Sequence, residues 1–303
     1  MVNARGSMVE PAWAYAACQR LARAHYENFP VASFLLPAPM RPHVAAVYAF
    51  ARVADDFADE GQVPHAVRLQ RLERWGERLL GAAGRGEEGP PPGPGEPPET
   101  VAIFLALGAT IRACGLSLEP FEALLSAFRQ DVTVTRYGTW DALLDYCRRS
   151  ANPVGRLVLR IARYDDRVLD RASDALCTAL QLTNFWQDFA VDWQRGRVYV
   201  PQDVQRAHGA VEAQLRHGVT PEWSASLHEA ATVTRGLFAD GRPVCDGVRG
   251  RLRWELRATW LGGMRVLERL EQVQFDTFGH RPTLGALDAS LVAARTIGWS
   301  LAS

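Results

Sequence analysis

The fold is decided by one stretch, LQLTNFWQDFAVDWQRGRVYVP, residues 180–201, which has the pattern of a helix with one polar face. The polar residues follow one another at spacings of three, four and four: Gln181, Asn184, Asp188 and Asp192. Such spacings put all four on one face, while the other faces are apolar and rich in aromatic residues. A polar stripe on an aromatic helix is costly to bury unless it has partners. Carboxylate and amide oxygens suit Mg²⁺, with Mn²⁺ as the alternative, better than zinc.

A second acidic pair lies in ARVADDFADEG, residues 51–61. Asp55 and Asp59 are four residues apart on a predicted helix, and Arg52 lies one turn earlier on the same face. One such pair alone is typical of a solvated helix face. Two pairs on aromatic helices favour a metal site built by facing helices of a bundle. The predicted metal ligands are Asp55, Asp59, Asn184, Asp188 and Asp192.

Because Mg²⁺ in proteins is usually completed by phosphate oxygens of a substrate, the two acidic helices predict a bound diphosphate. The aromatic residues around them predict a pocket for its hydrocarbon tail. The metal would neutralise the departing diphosphate and assist the cleavage of a C–O bond.

The rest of the chain reads as helical almost throughout, with Pro, Gly or Asn between the segments. We predict helices at 11–26, 41–60, 66–81, 101–114, 119–131, 140–150, 153–164, 170–191, 222–239, 243–273 and 283–301. The predicted fold class is all-α, with a single domain over residues 1–303 forming a helical bundle around a central cavity. Residues 82–100, rich in Pro and Gly, are predicted to form a flexible loop and not a linker between domains.

The composition excludes several classes of function. The formal net charge is zero, which argues against nucleic-acid binding. All 34 basic residues are arginines, so lysine Schiff-base chemistry and a P-loop lysine are excluded. Five widely spaced cysteines indicate reduced, mostly buried thiols. No apolar run is long enough to span a bilayer, so we predict a cytoplasmic protein and leave open peripheral contact at the inner face of the membrane.

At this point the sequence resembles the squalene/phytoene synthase family, from about residue 10 to residue 285. The resemblance rests on four motifs: Arg52-x-x-Asp55-x-x-x-Asp59, the 181–192 stripe followed by GRVYVP (196–201), RYGTWDALLDYC (136–147) and GGMRVLERLE (262–271). It implies the isoprenoid-synthase fold, an isoprenoid diphosphate as substrate and a magnesium cofactor.

At three places the sequence differs from the usual pattern of the family and resembles one of its branches. The enzymes of that branch convert presqualene diphosphate to hydroxysqualene in bacterial hopanoid synthesis. The three places are HYENFP (25–30), NPVG (152–155) and Gln187, which stands where the family usually has an arginine. This branch needs one diphosphate site and proceeds by ionisation, rearrangement of a cyclopropylcarbinyl cation and capture by water. No Gly-rich dinucleotide fingerprint is visible, and we expect no nicotinamide cofactor.

The resemblance also implies roles for individual residues. The predicted catalytic residues are Tyr48, Arg52, Asn184 and Gln187. The predicted substrate-binding residues are Asn28, Phe29, Arg52, Tyr146, Asn152, Val154, Gly155, Gln181, Phe185, Arg265 and Arg281. An arginine suits the forked geometry of a phosphate, and aromatic faces stabilise cations, although ordinary core packing is the competing interpretation of any single aromatic residue.

Two alternatives stay open at the level of the sequence. The first is a head-to-head synthase that joins two prenyl diphosphates. The second, from another class, is a non-catalytic partner that keeps the fold, although such proteins usually lose a metal carboxylate and all four are present here. The expected partner is a small isoprenoid diphosphate and no nucleic acid, with contacts to a membrane or to neighbouring pathway enzymes left open.

Overall fold

The computed structural model describes residues 11–24, 35–59, 63–85, 90–279 and 281–299. Over these residues the chain is helical, without a strand, and only one isolated bridge joins Arg136 to Val198. This confirms the all-α prediction. The predicted substrate-binding residues Asn28 and Phe29 lie outside the described residues.

The helices of the described ranges follow one another in this order: α1 (Ala12–Ala24), α2 (Arg41–Asp59), α3 (His65–Arg85), α4 (Thr100–Cys114), α5 (Glu119–Asp131), α6 (Trp140–Ser150), α7 (Asn152–Ile161), α8 (Arg167–Gln187), α9 (Phe189–Gln194), α10 (Gln202–His208), α11 (Pro221–Gly247), α12 (Gly250–Gln272) and α13 (Ala286–Ile297). Short 3₁₀ turns occupy Ala38–Met40 and Glu212–His217. The chain divides into two compact units, Met1–Thr133 with Leu157–Tyr164, and Val134–Arg156 with Asp165–Ser303. The single domain therefore stays a prediction.

In the first unit an aromatic core fixes the direction of α2. Phe50 on α2 stacks on Trp75 of α3 with 6.1 Å between ring centroids, and the Trp75 indole N–H donates to the Phe50 carbonyl at 3.1 Å. Phe104 of α4 and Phe121 of α5 pack edge-on against Phe50. Because this side of α2 is buried, Arg52 and the aspartates that follow it are turned away from the aromatic core.

In the second unit α8 is packed closely by α11 and α12. A Cβ atom added at Gly241 of α11 would lie 2.7 Å from the backbone nitrogen of Leu176 on α8. A Cβ atom at Gly263 of α12 would lie 2.6 Å from Leu180. These helices approach α8 so closely because both positions lack a side chain.

Two predicted helix boundaries are wrong here: α11 does not end at residue 239, and the predicted helix 243–273 is interrupted between Gly247 and Gly250. We expected a break between residues 239 and 243, because Pro243 cannot donate a backbone hydrogen bond. The structure instead carries α11 through Pro243 to Gly247. Gly241 lies in contact with α8 just before the proline, so packing keeps this turn helical despite the lost hydrogen bond.

The Pro/Gly-rich segment is shorter than predicted and is attached to α3. Helix α3 continues to Arg85 and α4 begins at Thr100. Within 90–99, the carboxylate of Glu96 accepts hydrogen bonds from Arg78 Nε at 3.0 Å and Nη2 at 2.7 Å, and from the Gly93 N–H at 2.7 Å. Arg78 also donates to the carbonyls of Pro90 and Pro91. Residues 90–99 are therefore held by one arginine of α3.

All five cysteines are thiols that form no disulfide, and four of them are buried, as predicted. Burial raises the pKa of Cys18, Cys147, Cys177 and Cys245 to about 12. At neutral pH these thiols stay protonated, so they behave as small core residues.

The Arg78–Glu96 pair predicts an acid-sensitive contribution to stability. Burial alone would raise the pKa of Glu96, but the hydrogen bonds from Arg78 and Gly93 outweigh it and hold the pKa below its ordinary value. The stabilisation is therefore present above the ordinary pKa of glutamate and is lost as pH falls towards the folded-state pKa. Glu96→Gln should lower the free energy of unfolding at pH 7 by about 2–3 kcal/mol, because the Glu96 side chain is 1% exposed.

Urea unfolding at pH 7 and at pH 4 checks this. The difference between wild type and Glu96→Gln should shrink at the lower pH. Glu99→Gln, at an exposed glutamate three residues later, is the matched control and should change stability by less than about 0.5 kcal/mol. Equal effects of the two substitutions would contradict the role of the Arg78–Glu96 pair.

Candidate active site

The polar stripe of the second unit crosses a break between two helices. Helix α8 ends at Gln187 and α9 begins at Phe189, so Asp188 lies between them with φ −94° and ψ 9°. We predicted one continuous helix to residue 191. The spacing survives the break because the Asp188 N–H donates to the Asn184 carbonyl and the Asp192 N–H to the Asp188 carbonyl, both at 2.8 Å. All four stripe residues are half-buried.

Asp188 forms an ion pair with Arg281, a predicted substrate-binding residue. The Asp188 side chain is 21% exposed and that of Arg281 is 36% exposed, so the pair borders solvent. The Gln187 amide donates to the Pro282 carbonyl at 2.7 Å. Gln187 therefore holds the segment that carries Arg281, and its predicted catalytic role stays a prediction.

An aromatic cluster contains two of the predicted substrate-binding residues. Phe185 stacks on Tyr199 with 3.6 Å between ring centroids, and Tyr146 lies 6.3 Å from Phe185. Tyr137 packs against both Tyr146 and Tyr199. All four rings are buried. Neither Tyr137 nor Tyr199 was predicted from the sequence.

Both tyrosines lie in motifs of the resemblance: Tyr137 in RYGTWDALLDYC (136–147) and Tyr199 in GRVYVP (196–201). The Val198 N–H donates to the Thr135 carbonyl at 3.1 Å, and the Gln202 N–H to the Tyr137 carbonyl at 2.9 Å. The segment around RYG (136–138) thus pairs with GRVYVP (196–201). Arg136 strengthens the pairing by donating to the Gly196 carbonyl at 2.6 Å.

The NPVG segment, which begins α7, contacts α8. Asn152 is buried and accepts a hydrogen bond from the Thr178 hydroxyl at 2.9 Å. A Cβ atom at Gly155 would lie 2.3 Å from Ser173 Oγ and 2.6 Å from Cys177 Sγ. Asn152 and Gly155 thus hold α7 against α8, while Val154 is 39% exposed. Substrate contacts at these three residues stay predictions.

Arg265, another predicted substrate-binding residue, is engaged within the protein. Its Nε lies 2.7 Å from Asp288 and its Nη1 2.7 Å from Glu268. Hydrogen bonds from Arg269 and Arg265 hold the pKa of Asp288 well below its ordinary value. Arg265 therefore fastens α13 to α12, and a contact with substrate stays a prediction.

The acidic face of α2 lies in the first unit. Arg52 Nη2 lies 2.5 Å from Asp56, whereas its Nη1 lies 3.7 Å from Asp55. The arginine is thus paired closely with Asp56 and only loosely with Asp55. Tyr48, one turn earlier, is half-buried, and Asp59 is exposed.

The carboxyl group of Asp55 is electrostatically unfavourable as an anion. Burial first, and then the negative charge of Asp59, raise its pKa to about 7, although its side chain keeps 41% of its surface exposed. Asp131, at the end of α5, adds a further negative charge that raises this pKa. Asp131 is 7% exposed and was missed in the sequence, because a single aspartate at a helix end follows no pattern.

These residues fit Mg²⁺ in their chemistry. The donors on both helices are oxygens, and beside burial the negative charges of Asp59 and Asp131 raise the pKa of Asp55, so a cation would relieve part of this repulsion. Within the described part of the chain, no three or more His, Cys, Asp or Glu side chains are close enough to hold a metal by themselves. Phosphate oxygens would therefore be needed to complete the coordination.

A pocket of about 600 Å³ lies in the first unit, among α1, α2, α3 and the 90–99 segment. It reaches Asp56, Val53 and Phe57 of α2, but neither Asp55 nor Asp59 is among the residues that line it. The pocket therefore touches α2 at Asp56 but does not include the predicted metal ligands Asp55 and Asp59.

The fold resembles that of known isoprenoid synthases. The structure described as squalene synthase HpnC from Alicyclobacillus acidocaldarius is 37% identical, with a TM-score of 0.78 over 89% of this chain and 97% of that one. A dehydrosqualene synthase in complex with ligand gives a TM-score of 0.80 at 20% identity, over 96% of this chain and 98% of that one, which shows the fold alone.

Residues 22–288 match the squalene/phytoene synthase family, and the chain belongs to that family. Among its relatives, the hydroxysqualene synthase of Zymomonas mobilis subsp. mobilis is 40% identical over 70% of this chain and 67% of its own length. The hydroxysqualene synthase of Rhodopseudomonas palustris is 36% identical over 81% of this chain and 80% of its own length.

The raised pKa of Asp55 predicts that removing its charge stabilises the metal-free protein. Because the folded-state pKa of about 7 lies above the unfolded value near 3.9, stability is lost as pH rises through about 7. Asp55→Asn should therefore have a higher Tm than wild type at pH 8 in the presence of a chelator. The gain should shrink at pH 5, where the folded protein already holds the proton.

Asp56→Asn provides the matched control, because it removes a neighbouring carboxylate that is paired with Arg52 at 2.5 Å. It should lower Tm at both pH values. Differential scanning calorimetry would contradict the argument if Asp55→Asn were less stable than wild type at pH 8.

The contact of Gly155 with α8 predicts a defect in packing and its rescue. Gly155→Ala should lower Tm by several degrees, because the added methyl group overlaps Ser173 Oγ and Cys177 Sγ. Adding Ser173→Ala and Cys177→Ala should restore much of the loss, since these changes remove both overlapping atoms. Thermal unfolding of the single and triple variants checks this, and a triple variant no more stable than Gly155→Ala would contradict it.

Proposed function

We propose that the chain is a hydroxysqualene synthase, which converts presqualene diphosphate and water to hydroxysqualene and diphosphate. The observation that carries this proposal is the similarity to two hydroxysqualene synthases, at 36–40% identity over most of the chain. Both aspartate pairs of the family motifs are present, at Asp55 and Asp59 and at Asp188 and Asp192. Asp59 is exposed and the other three are half-buried, so a ligand can reach all four.

The carboxylates of this chain would hold the metal, and its arginines would bind the diphosphate. Asp55 and Asp59 of the first unit, and Asn184, Asp188 and Asp192 of the second, are the candidate ligands of Mg²⁺, which when bound would neutralise negative charge on the diphosphate and polarise the C–O bond. Arg281, which is paired with Asp188, is the candidate in the second unit to donate to a diphosphate oxygen. Arg52 serves the same purpose on α2, and Asp56 holds it in place.

The hydrocarbon part of the substrate is bound by the aromatic cluster. When the C–O bond breaks, the electron pair leaves with the diphosphate and a cyclopropylcarbinyl cation remains. Phe185 and Tyr199 cover one face of each other, so their outer faces and that of Tyr146 are the candidates to stabilise such a cation, by about 1–2 kcal/mol in a desolvated site. The cation rearranges, water adds to it, and the added water loses a proton.

Polar residues of the stripe are candidates to direct that water. Asn184 and Gln181 are half-buried on α8, one turn apart. Tyr48 is half-buried on α2 and can accept or donate a hydrogen bond. Gln187 contributes as a positioning residue, because it holds the segment of Arg281.

A head-to-head synthase is the second candidate, and one relative favours it. The phytoene synthase of Thermus thermophilus is 32% identical over 94% of this chain and 92% of its own length. That reaction would join two prenyl diphosphates. The identity to hydroxysqualene synthases is higher, and Gln187 replaces the arginine expected beside the second motif.

The cellular setting follows from the proposed product. Within the described residues, no helix is both long and apolar enough to cross a membrane. A thirty-carbon alcohol is insoluble in water, so we propose a cytoplasmic enzyme that contacts the inner face of the membrane and the neighbouring enzymes of its pathway.

Product analysis tests the proposed function. With presqualene diphosphate and Mg²⁺ the protein should release hydroxysqualene, with or without NADPH, and farnesyl diphosphate alone should give no C30 product. A C30 hydrocarbon formed from farnesyl diphosphate would favour the head-to-head synthase instead.

Substitutions at the metal ligands should lower activity strongly. Asp55→Asn and Asp188→Asn should each lower kcat/KM by about 10²–10³, because each weakens charge stabilisation of the departing diphosphate. Asp174→Asn, on α8 but paired with Arg156 at 2.6 Å, is the matched control and should change kcat/KM by less than about twofold. Stabilisation by Mg²⁺ plus diphosphate in a thermal shift assay should be lost in the first two variants only.

A further inference from the structure

Helix α13 exposes two large apolar residues and buries two polar ones. Asp288 and Thr296 are 2% and 6% exposed, whereas Leu287 and Ile297 are 84% and 77% exposed. The exposed residues of Ala286–Ile297 are Ala286, Leu287, Ala289, Ser290, Ala293, Ala294, Arg295 and Ile297. Arg295 alone carries a charge among them. A surface helix normally shows the opposite arrangement.

The inverted arrangement is firmly anchored. Arg265 and Arg269 of α12 bind the Asp288 carboxylate at 2.7 and 3.0 Å, and the Gly285 N–H donates to the same group. At the other end, Trp299 packs edge-on against Trp260 of α12. Because both ends of α13 are fixed on α12, the helix cannot rotate to bury its apolar face without breaking these contacts.

Arginines and tryptophans border the apolar face. Trp299, two residues beyond Ile297, lies under the guanidinium groups of Arg242 and Arg257, at 4.7 and 5.1 Å from its ring centroid. Arg257 also contacts Trp254, which is 40% exposed. The start of α12, RGRLRWELR (249–257), has four arginines, and its one acidic residue, Glu255, is buried. Arg257 is paired with Asp246 at 2.6 Å, so the C-terminal end of α13 adjoins an aromatic surface in which arginines outnumber the acidic residues.

We propose that the outward face of α13, together with the arginines at the start of α12, docks the protein on an anionic lipid surface. The apolar residues enter the boundary between headgroups and acyl chains, and the arginines bind anionic headgroups. The family match ends at residue 288, so most of α13 lies beyond the part of the chain that defines the family. The choice of a membrane as occupant draws support from the proposed function, whose hydrocarbon product must enter a lipid phase.

A second copy of the chain is the less suitable occupant. The 12 residues of α13 are about 18 Å long, and one face of such a helix covers about 200 Å². A stable protein–protein interface needs about 800 Å² from each partner. A lipid surface has no such threshold, and the neighbouring arginines add attraction to anionic lipid that a symmetric contact between basic surfaces would lack.

The test is cosedimentation of the full chain with vesicles. Wild type should bind vesicles of phosphatidylcholine mixed with phosphatidylglycerol more tightly than vesicles of phosphatidylcholine alone, and added salt should weaken the binding. Leu287→Gln combined with Ile297→Gln should lower the partition coefficient by about tenfold or more. Leu80→Gln combined with Val168→Gln is the matched control, since these aliphatic residues are 56% and 58% exposed elsewhere, and it should change binding by less than about twofold.

Three results would overturn the proposal: no binding of wild type to the mixed vesicles, unchanged binding of the α13 variant, or a change of the α13 variant from dimer to monomer in analytical ultracentrifugation. The last would assign the face to a second copy.

Turnover of presqualene diphosphate in detergent separates this proposal from the proposed function. The α13 variant should keep wild-type turnover there, and a wild type that binds vesicles but has no turnover would contradict the function and leave the docking surface standing.

Discussion

The geometry of the second unit depends on how closely three helices approach α8. Gly155 of α7, Gly241 of α11 and Gly263 of α12 each lie where a Cβ atom would overlap atoms of α8. Contacts this close allow little sliding or rotation, because protein interiors are packed as tightly as molecular crystals. The direction of the polar stripe on α8 is thus set by backbone packing away from the carboxylates. The functional side chains need not contribute to that packing, and they are available for ligand.

The two acidic helices balance their charge in different ways. Asp188 has a direct partner in Arg281, whereas Asp55 is 3.7 Å from Arg52, which prefers Asp56. The first pair must open, or be shared, when a cation binds Asp188. The Asp55 carboxyl group instead keeps a proton to about pH 7 and would release it on binding metal. In the absence of ligand, the negative charge at Asp188 is therefore compensated by Arg281, and that at Asp55 is reduced by protonation.

The sequence predicted the helical class and most helices because their apolar spacing is regular, and it predicted the four aspartates because their spacing is that of a helix face. It did not predict contacts that depend on tertiary packing. Helix α11 continues through Pro243 because Gly241 lies against α8, and Tyr199 joins the aromatic cluster through pairing of two distant segments. Asp131 acts on Asp55 from another helix, which no spacing along the chain can reveal.

The buried cysteines make the folded protein nearly inert towards thiol reagents. With pKa values raised to about 12, four of the five thiols have a negligible thiolate fraction at neutral pH, and the fifth, Cys114, is also buried. A thiol of this protein reacts appreciably only when the region around it unfolds. The rate of alkylation thus measures how often each region unfolds, because Cys18 belongs to α1 while Cys147, Cys177 and Cys245 lie on helices of the other unit.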